Sequence, residues 1–161
     1  MKDLNIVGPA FVAMAHRIVW ATAGTTDGAG RPATRVLHPT WELDGDALFG
    51  WIATSPLSPK AAHLAAHPHV SLTYWDATHD TCTADCRAQW DTTDEGRQAL
   101  WDRFATAPAP VGYDPSIVPG WDSPTSAGFG ALRLFPYRLR VMPGSLLMAG
   151  EGELLTWREP T

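Results

Sequence analysis

Residues 33–54, ATRVLHPTWELDGDALFGWIAT, decide the fold. Two runs rich in strand-forming residues flank the turn at Asp44-Gly45-Asp46, and Asp-Gly is a strong signal for a β-hairpin. An earlier turn at 25–30 also contains Asp-Gly and precedes the first of these runs. Two successive hairpins predict an antiparallel sheet. Because proline cannot donate to a strand ladder, Pro39 predicts an edge strand or a bulge at His38.

The rest of the chain alternates further strands with three helices. We predict strands at 17–23, 69–75, 81–90 and 130–142, and helices at 9–15, 59–66 and 93–104. A last hairpin is expected to join 146–148 to 154–157. Strand 81–90 has the clearest period of two, with small and apolar residues on one face and polar residues on the other. This order predicts a mainly β (β+α) fold, a six- or seven-stranded antiparallel barrel with peripheral helices.

Length and charge limit the classes of protein that are possible. A chain of 161 residues fits one domain, 1–161. Its net charge of −5 is spread along the chain, which argues against binding to nucleic acid or to an anionic membrane surface. There is no apolar run of the roughly 20 residues that a membrane span needs, and no secretory signal at the N-terminus. We therefore expect a cytoplasmic protein.

The cysteines and histidines do not predict a metal site. Cys82 and Cys86 lie four residues apart on a predicted strand, about 13 Å from each other, too far for one tetrahedral zinc or a disulfide. Both fall on the apolar face and are expected to be buried. His63 and His67 are four apart on a helix and could share a metal, but alanines surround them and a zinc-protease pattern is missing.

Five polar residues around 35–60 suggest an anion site. Residues symmetric about the Asp44-Gly45 turn should lie opposite each other, which would bring Arg35 close to Thr54 across the sheet. The helix that follows begins at Ser58, with Pro59 as its first residue, and carries Lys60 in its first turn. A phosphate could then be held by the guanidinium of Arg35 and the ammonium of Lys60. Free helical N–H groups and the hydroxyls of Thr54, Ser55 and Ser58 could complete its shell. The alternative is that Arg35 and Lys60 are ordinary surface charges.

At these residues the chain resembles the pyridoxamine 5'-phosphate oxidase-like family of FMN-binding split barrels. The resemblance extends from about Val19 to Val141. It rests on four segments, which are Asp27-Gly28 with Arg31-Pro32, Thr34-Arg35-Val36-Leu37, Thr54 six residues before Lys60, and His67-Pro68-His69-Val70-Ser71-Leu72. Leu132-Arg133-Leu134-Phe135-Pro136 and Leu139-Arg140-Val141 are similar to the closing strand of the family.

The resemblance implies a homodimer with FMN at the subunit interface. It implies that Arg35 and Lys60 bind the phosphate, with Thr54, Ser55 and Ser58 beside it. It also implies that the isoalloxazine ring lies along the backbone of Val36-Leu37 and Ile52-Ala53, and that Thr81 faces the cofactor across the dimer. The resemblance implies no particular acid or base, so the catalytic residues stay unassigned. His38 is the one nearby side chain that could take such a role.

Departures from the family pattern bear on the substrate. Pro59 replaces a basic residue beside Lys60, Met142-Pro143-Gly144 replaces a Trp-Gly pair, and the C-terminal Arg-x-His is missing. Oxidation of pyridoxamine phosphate is therefore not expected. The composition is similar to an actinobacterial-type branch that includes F420 (deazaflavin) binders. The resemblance implies a flavin-dependent oxidoreductase acting on a small molecule, an F420-dependent reductase, or a non-catalytic flavin- or haem-binding sensor or storage protein.

The segment 105–128 shows no periodicity over more than twenty residues, which in a compact domain is unusual. It contains Tyr113, Ile117, Val118 and Trp121 and is too apolar for a solvated linker. We predict a packed loop whose Tyr113 or Trp121 covers the cofactor. Packing against the end of the barrel with no such role is the alternative.

Overall fold

The computed structural model describes residues 2–160. It contains one antiparallel sheet with helices packed against it, so the predicted mainly β fold class is confirmed, with eight strands instead of six or seven. The strands are β1 Ala21–Thr26, β2 Pro32–Leu37, β3 Pro39–Asp44, β4 Ala47–Thr54, β5 His69–Trp75, β6 Thr81–Asp91, β7 Gly130–Met142 and β8 Leu155–Arg158. The helices are α1 Leu4–Ile18, α2 Pro59–Ala66, α3 Asp94–Thr106 and α4 Gly144–Ala149, with a 3₁₀ turn at Pro115–Ile117.

The sheet is open, and its two outer strands are consecutive in sequence. The strand order is β2-β1-β5-β6-β7-β4-β3, with β8 paired to β7. His38 alone separates β2 from β3, and there the chain passes from one end of this order to the other. The interruption predicted at His38-Pro39 is therefore confirmed, and it splits one long run into the two edges of the sheet.

The predicted pairing of Arg35 with Thr54 is wrong. The Asp44 turn joins β3 to β4 with Asp44 opposite Ala47, and this ladder ends at Pro39 opposite Ile52. Beyond His38 the chain leaves this ladder, so Arg35 lies opposite Ala23 of β1 instead. Symmetry about a turn holds only as far as the ladder continues.

The two ends of the chain also differ from the prediction. Helix α1 begins at Leu4, after Asp3 accepts a hydrogen bond from the Asn5 amide, and it runs on to Ile18, so no strand begins at residue 17. The expected hairpin at 146–157 is replaced by helix α4 and by β8, which pairs with β7. The pairing of β6 with β7 contains a bulge, where Asp85 faces Arg138 but Cys86 faces Pro136.

The main core lies between the inner face of the sheet and α1. Phe11 of α1 packs edge-on against Trp41, whose indole N–H donates to the buried Tyr74 hydroxyl at 2.8 Å. Cys82 and Cys86 are both fully buried in this core, as predicted. Burial raises the pKa of both thiols.

No helix within residues 2–160 is long and apolar enough to cross a membrane.

The segment after α3 forms a second core, as predicted for a packed loop. It buries Val111, Trp121 and Phe129 against Leu100 and Phe104 of α3. The chain makes a close crossing at Gly112, where an added β-carbon would lie 1.8 Å from the carbonyl oxygen of Ala107, so a side chain does not fit there. This second core sits beside the break at His38.

Candidate functional site

Arg35 is held at the inner side of β2 by the neighbouring strand. Its Nη1 donates to the carbonyl oxygen of Ala23 at 3.1 Å and to the hydroxyl of Thr25 at 2.7 Å. Thr25 is buried, and its hydroxyl also lies 2.9 Å from Nδ1 of His63 on α2. These contacts fix the guanidinium between β1 and the first turns of α2.

Lys60 lies at the N-terminus of α2 and is buried. Its Nζ donates to the hydroxyl of Ser58 and to the carbonyl oxygen of Ser55 at 3.4 Å. Ser58 is the N-cap residue, as predicted, but its side chain makes no capping hydrogen bond. Its hydroxyl donates to the Ser55 carbonyl at 2.8 Å, and its oxygen accepts from Lys60 Nζ. The N-terminus of α2 is therefore not capped by that hydroxyl.

The two cations repel each other and have no carboxylate to compensate. Burial, with a further contribution from the charge of Arg35, lowers the pKa of Lys60, and burial lowers the pKa of Arg35. Within residues 2–160 neither side chain takes part in an ion pair. A buried and a half-buried cation beside a helix N-terminus form a site that favours an anion. We call Arg35, Lys60, Ser58 and Thr25 the anion cluster.

A cavity of about 500 Å³ opens where β2 ends. Leu37 lines this cavity and projects from the same face of β2 as Arg35, about 7 Å further along the strand. The lining side chains are apolar or aromatic and none is charged: Ile18, Val19, Trp20, Val36, Leu37, His38, Ala53, Pro110, Tyr113, Ile117, Val118 and Trp121. An anion cluster and a neutral cavity thus lie next to each other along one strand.

His38 is the polar ring in the cavity wall. Its ring centre lies 5.0 Å from that of Trp20, 5.3 Å from that of Phe104 and 5.2 Å from that of Tyr113. Burial lowers the pKa of His38, an effect that the backbone of Val111 opposes and that His16 reinforces, which favours the neutral imidazole. Its Nε2 is buried and has no hydrogen-bond partner among residues 2–160. Nε2 thus keeps an unused hydrogen-bonding capacity within the packed wall and is not exposed to the open cavity.

Both aromatic residues singled out in the long loop line the cavity. Trp121 is fixed by a hydrogen bond of 2.8 Å from its indole N–H to the Gly128 carbonyl. The Tyr113 ring packs on Phe104, with ring centres 4.8 Å apart, and burial raises the pKa of Tyr113 to about 12. The loop therefore forms one wall of the cavity with neutral aromatic rings.

The structure divides the residues predicted for the site into three groups. One group lies at the anion cluster, and consists of Arg35, Ser55, Ser58 and Lys60. A second group lines the cavity, and consists of Val36, Leu37, His38 and Ala53. The third lies apart from both: Ile52 and Thr54 are buried in β4, and Thr81 begins β6, opposite Trp75 and Met142.

Sequence reasoning missed Thr25 and His63. Thr25 precedes a turn and resembles any strand threonine, and His63 was considered only for a metal shared with His67. The available signal is the position of His63 one turn after Lys60 on α2, which places both on the same side of that helix.

Comparisons with known proteins bear on the fold. A scan against models of protein families finds no match, and a search of curated proteins finds none. Solved structures do match. A Clostridium acetobutylicum protein related to general stress protein 26 of B. subtilis, of the pyridoxinephosphate oxidase family, is similar over 98% of this chain and 96% of its own, with 11% identity and a TM-score of 0.70.

Two further solved structures with the same fold are described as binding or storing different cofactors. A pyridoxamine 5'-phosphate oxidase-related, FMN-binding protein from Nostoc punctiforme matches over 100% of this chain and 98% of its own, at 16% identity and a TM-score of 0.62. HutZ, a haem storage protein from Vibrio cholerae, matches over 92% of this chain and 93% of its own, at 18% identity and a TM-score of 0.56. At these identities the likeness concerns the fold, and this chain has the fold of the pyridoxamine 5'-phosphate oxidase-like split barrels.

Proposed function

We propose that this protein binds FMN and acts as an oxidoreductase on a small molecule. The observation that carries the proposal is the pair of cations formed by the buried Lys60 and the half-buried Arg35, which have no carboxylate partner within residues 2–160 and lie beside a neutral cavity. A ligand that suits both has an anion at one end and an apolar ring at the other. FMN has this form, since a short chain joins its phosphate to its ring system.

The residues present fit such a ligand. Arg35 can bind a phosphate through its guanidinium, and Lys60 adds a second charge at the N-terminus of α2. The aromatic wall at Tyr113 and Trp121 offers flat apolar surface to a ring and excludes water. Nε2 of His38 is unpartnered within residues 2–160 and would reach a polar atom of the ligand only after a turn of the ring. Bound FMN would supply hydride transfer, while this chain anchors and orients it.

We further propose that two copies of the chain complete the site. The outer face of β2, β1, β5 and β6 exposes three large apolar side chains, which are Trp20 (59% exposed), Val36 (62%) and Trp75 (58%). The strand registers place a row of threonines among them, and we call the whole set the threonine face: Trp20, Thr22, Val36, Thr73, Trp75, Thr81 and Thr83. Trp20 and Val36 also line the cavity, so a partner on this face would lie beside the ligand.

Two other ligands are candidates. F420 also joins a phosphate to a flavin-like ring, so the anion cluster supports it in the same way. The His38 ring in the wall of an apolar cavity, with an Nε2 that is unpartnered within residues 2–160, supports a non-catalytic haem-binding protein, because neutral imidazole is a common ligand of haem iron. HutZ, which shares the fold, is described as a haem storage protein.

The test is a comparison of ligands that differ in one group. The purified chain is titrated with FMN, riboflavin, F420 and haemin, with flavin fluorescence quenching or visible absorption as the measurement. We expect FMN to bind at least tenfold more tightly than riboflavin. Arg35→Ala should weaken FMN binding by about 2–3 kcal/mol and leave riboflavin binding unchanged. Arg31→Ala is the matched control, since Arg31 is exposed and already paired with Asp27 at 2.8 Å.

The outcomes separate the candidates. Equal binding of FMN and riboflavin would overturn the phosphate anchor. Tight binding of F420 with weak FMN binding would support the deazaflavin reductase instead. A sharp haem absorption band that is lost in His38→Ala would support the haem-binding protein. Bound FMN that cannot be reduced by nicotinamide donors and reoxidised by quinone-type acceptors would argue against an oxidoreductase.

A further inference from the structure

The hydroxyl of Thr25 connects the anion cluster to His63. It accepts a hydrogen bond from Nη1 of Arg35 at 2.7 Å and lies 2.9 Å from Nδ1 of His63. Thr25 is only 4% exposed, so this hydroxyl relies on protein partners and not on bulk water. His63 stands one turn after Lys60 on α2.

The direction of the hydrogen bond between Thr25 and His63 depends on the protonation of His63. A hydroxyl has one hydrogen to donate. When Nδ1 of His63 carries no proton, that hydrogen is used in the bond to Nδ1. When the imidazole is protonated, both ring nitrogens are donors, and Nδ1–H donates to the Thr25 oxygen instead. The hydroxyl hydrogen is then free to turn toward an anion beside Arg35.

The charges around His63 come from three elements. Arg35 of β2 and Lys60 of α2 are the neighbouring positive charges, and His67 is the C-cap residue of α2. Asp27, in the turn after β1, is the nearby negative charge, and the charge of His63 contributes to lowering the pKa of Asp27. Asp27 is itself paired with Arg31, so it compensates His63 only in part. A phosphate dianion bound between Arg35 and Lys60 would reverse the balance and favour the protonated ring.

We propose that Thr25 and His63 belong to the phosphate site and that His63 takes up a proton when the phosphate dianion binds. The inference rests on the phosphate anchor proposed above and adds a linkage to pH. Protonation of His63 brings a third positive charge and releases the Thr25 hydroxyl as a donor, and both effects strengthen the binding of the anion. Histidine is the side chain that changes charge between about pH 5 and 8, so the linkage falls in the physiological range.

The test measures affinities for FMN and riboflavin from pH 8 to pH 5.5 in the wild type, His63→Gln and Thr25→Val. In the wild type the preference for FMN over riboflavin should increase, relative to His63→Gln, by about tenfold across this range, the equivalent of one pKa unit. The titration of the FMN phosphate itself is the same for every variant and cancels in this ratio. Thr25→Val should weaken FMN binding and flatten the profile, while Thr25→Ser should restore both.

A matched control and a direct readout complete the design. His67→Gln changes an exposed histidine on the same helix and should leave the wild-type profile unchanged. Nuclear magnetic resonance of the imidazoles, with His63 assigned from its missing signals in His63→Gln, should show its pKa rising when FMN binds and not when riboflavin binds.

Two negative results have different meanings. If FMN is preferred over riboflavin but His63→Gln follows the wild-type pH profile, the inference is wrong and the phosphate anchor stands. If FMN and riboflavin bind equally at every pH, the phosphate anchor itself is wrong.

Discussion

Lys60 is a buried cation beside another cation, so in the free protein it lowers the stability of the fold. Burial and the charge of Arg35 lower its pKa, which means that the unfolded chain holds this proton more firmly than the folded one. We therefore expect Lys60→Met to raise the free energy of unfolding by about 1 kcal/mol at pH 7, or roughly 2–4 °C in Tm. The same variant should lose the preference for FMN over riboflavin.

The measurement is urea unfolding of the ligand-free protein, with Lys60→Arg as the control. Arginine keeps the charge, so this variant should show no gain in stability. Lower stability of Lys60→Met would mean that the aliphatic stem of the lysine, and not its charge, governs the stability of this position.

His38 should make the fold sensitive to acid. Burial lowers its pKa, so the unfolded chain binds a proton on His38 at a pH where the folded chain does not. Stability is therefore fully present above the unfolded pKa, near 6.5, and is lost as the pH falls from there toward the folded pKa. His38→Phe fits among Trp20, Phe104 and Tyr113, and it should reduce the loss of stability between pH 7.5 and pH 5.5.

His16 provides the comparison for this experiment. Burial, with the charge of Arg103, also lowers the pKa of His16, and its Nε2 accepts a hydrogen bond from the Trp41 amide at 2.9 Å. His16→Phe should reduce the acid sensitivity as well, but at the cost of an unpaired buried amide. An unchanged pH dependence in His38→Phe would show that His38 is not a source of the acid sensitivity.

At the scale of elements, Arg97 of α3 holds the long loop in place. Its Nη2 donates to the carbonyl oxygens of Ser126 at 2.6 Å and of Phe129 at 3.1 Å, next to the segment that carries Trp121. Arg97→Met should cost about 1–3 kcal/mol, because two part-buried carbonyls lose their donor. Hydrogen exchange at 111–128 should increase more than exchange in the sheet.

Arg87→Met is the matched control for Arg97. Arg87 makes an exposed ion pair with Glu159, and such pairs contribute little to stability. Equal effects of the two variants would show that the contacts of Arg97 with the loop carbonyls are not important for its order.

The strands and helices differ in how well they can be predicted from the local sequence. The Asp-Gly turn, the alternation of β6 and the Pro-opened helix α2 are local signals, and the structure has all three. The position of β2 is not local. Consecutive strands are usually neighbours, but here β2 and β3 lie at opposite edges, so the expected contact of Arg35 with Thr54 does not form. Arg35 instead meets Thr25 beside α2, a contact decided by the order of the strands in the whole sheet.

The candidate site was predicted only in part for the same reason. Lys60 and Ser58 follow from a helix start that can be read locally, and Tyr113 and Trp121 follow from the apolar composition of a loop. Thr25 and His63 meet through packing between β1 and α2, and neither carries a motif. The last hairpin was mispredicted because 146–148 is apolar and short, a pattern that suits a helix turn and a strand equally.

At the scale of the whole molecule, the threonine face predicts a dimer. Thr73→Glu places a charge in the middle of this face, opposite Thr22 and Thr83, where burial against a partner would be costly. Light scattering should show the mass falling from twice 17.5 kDa to 17.5 kDa. Thr92→Glu, an exposed threonine on the turn before α3, should leave the dimer intact. A wild-type monomer at micromolar concentration would contradict the proposal.

The single residue between β2 and β3 has a consequence for the length of the chain at this point. Because His38 alone connects the two edges of the sheet, an inserted or deleted residue would shift both edge strands against their partners at once. A shift of one residue turns every side chain of a strand to the opposite face. The strand order therefore fixes the spacing between Leu37 and Pro39, independently of the chemistry of the side chain at position 38.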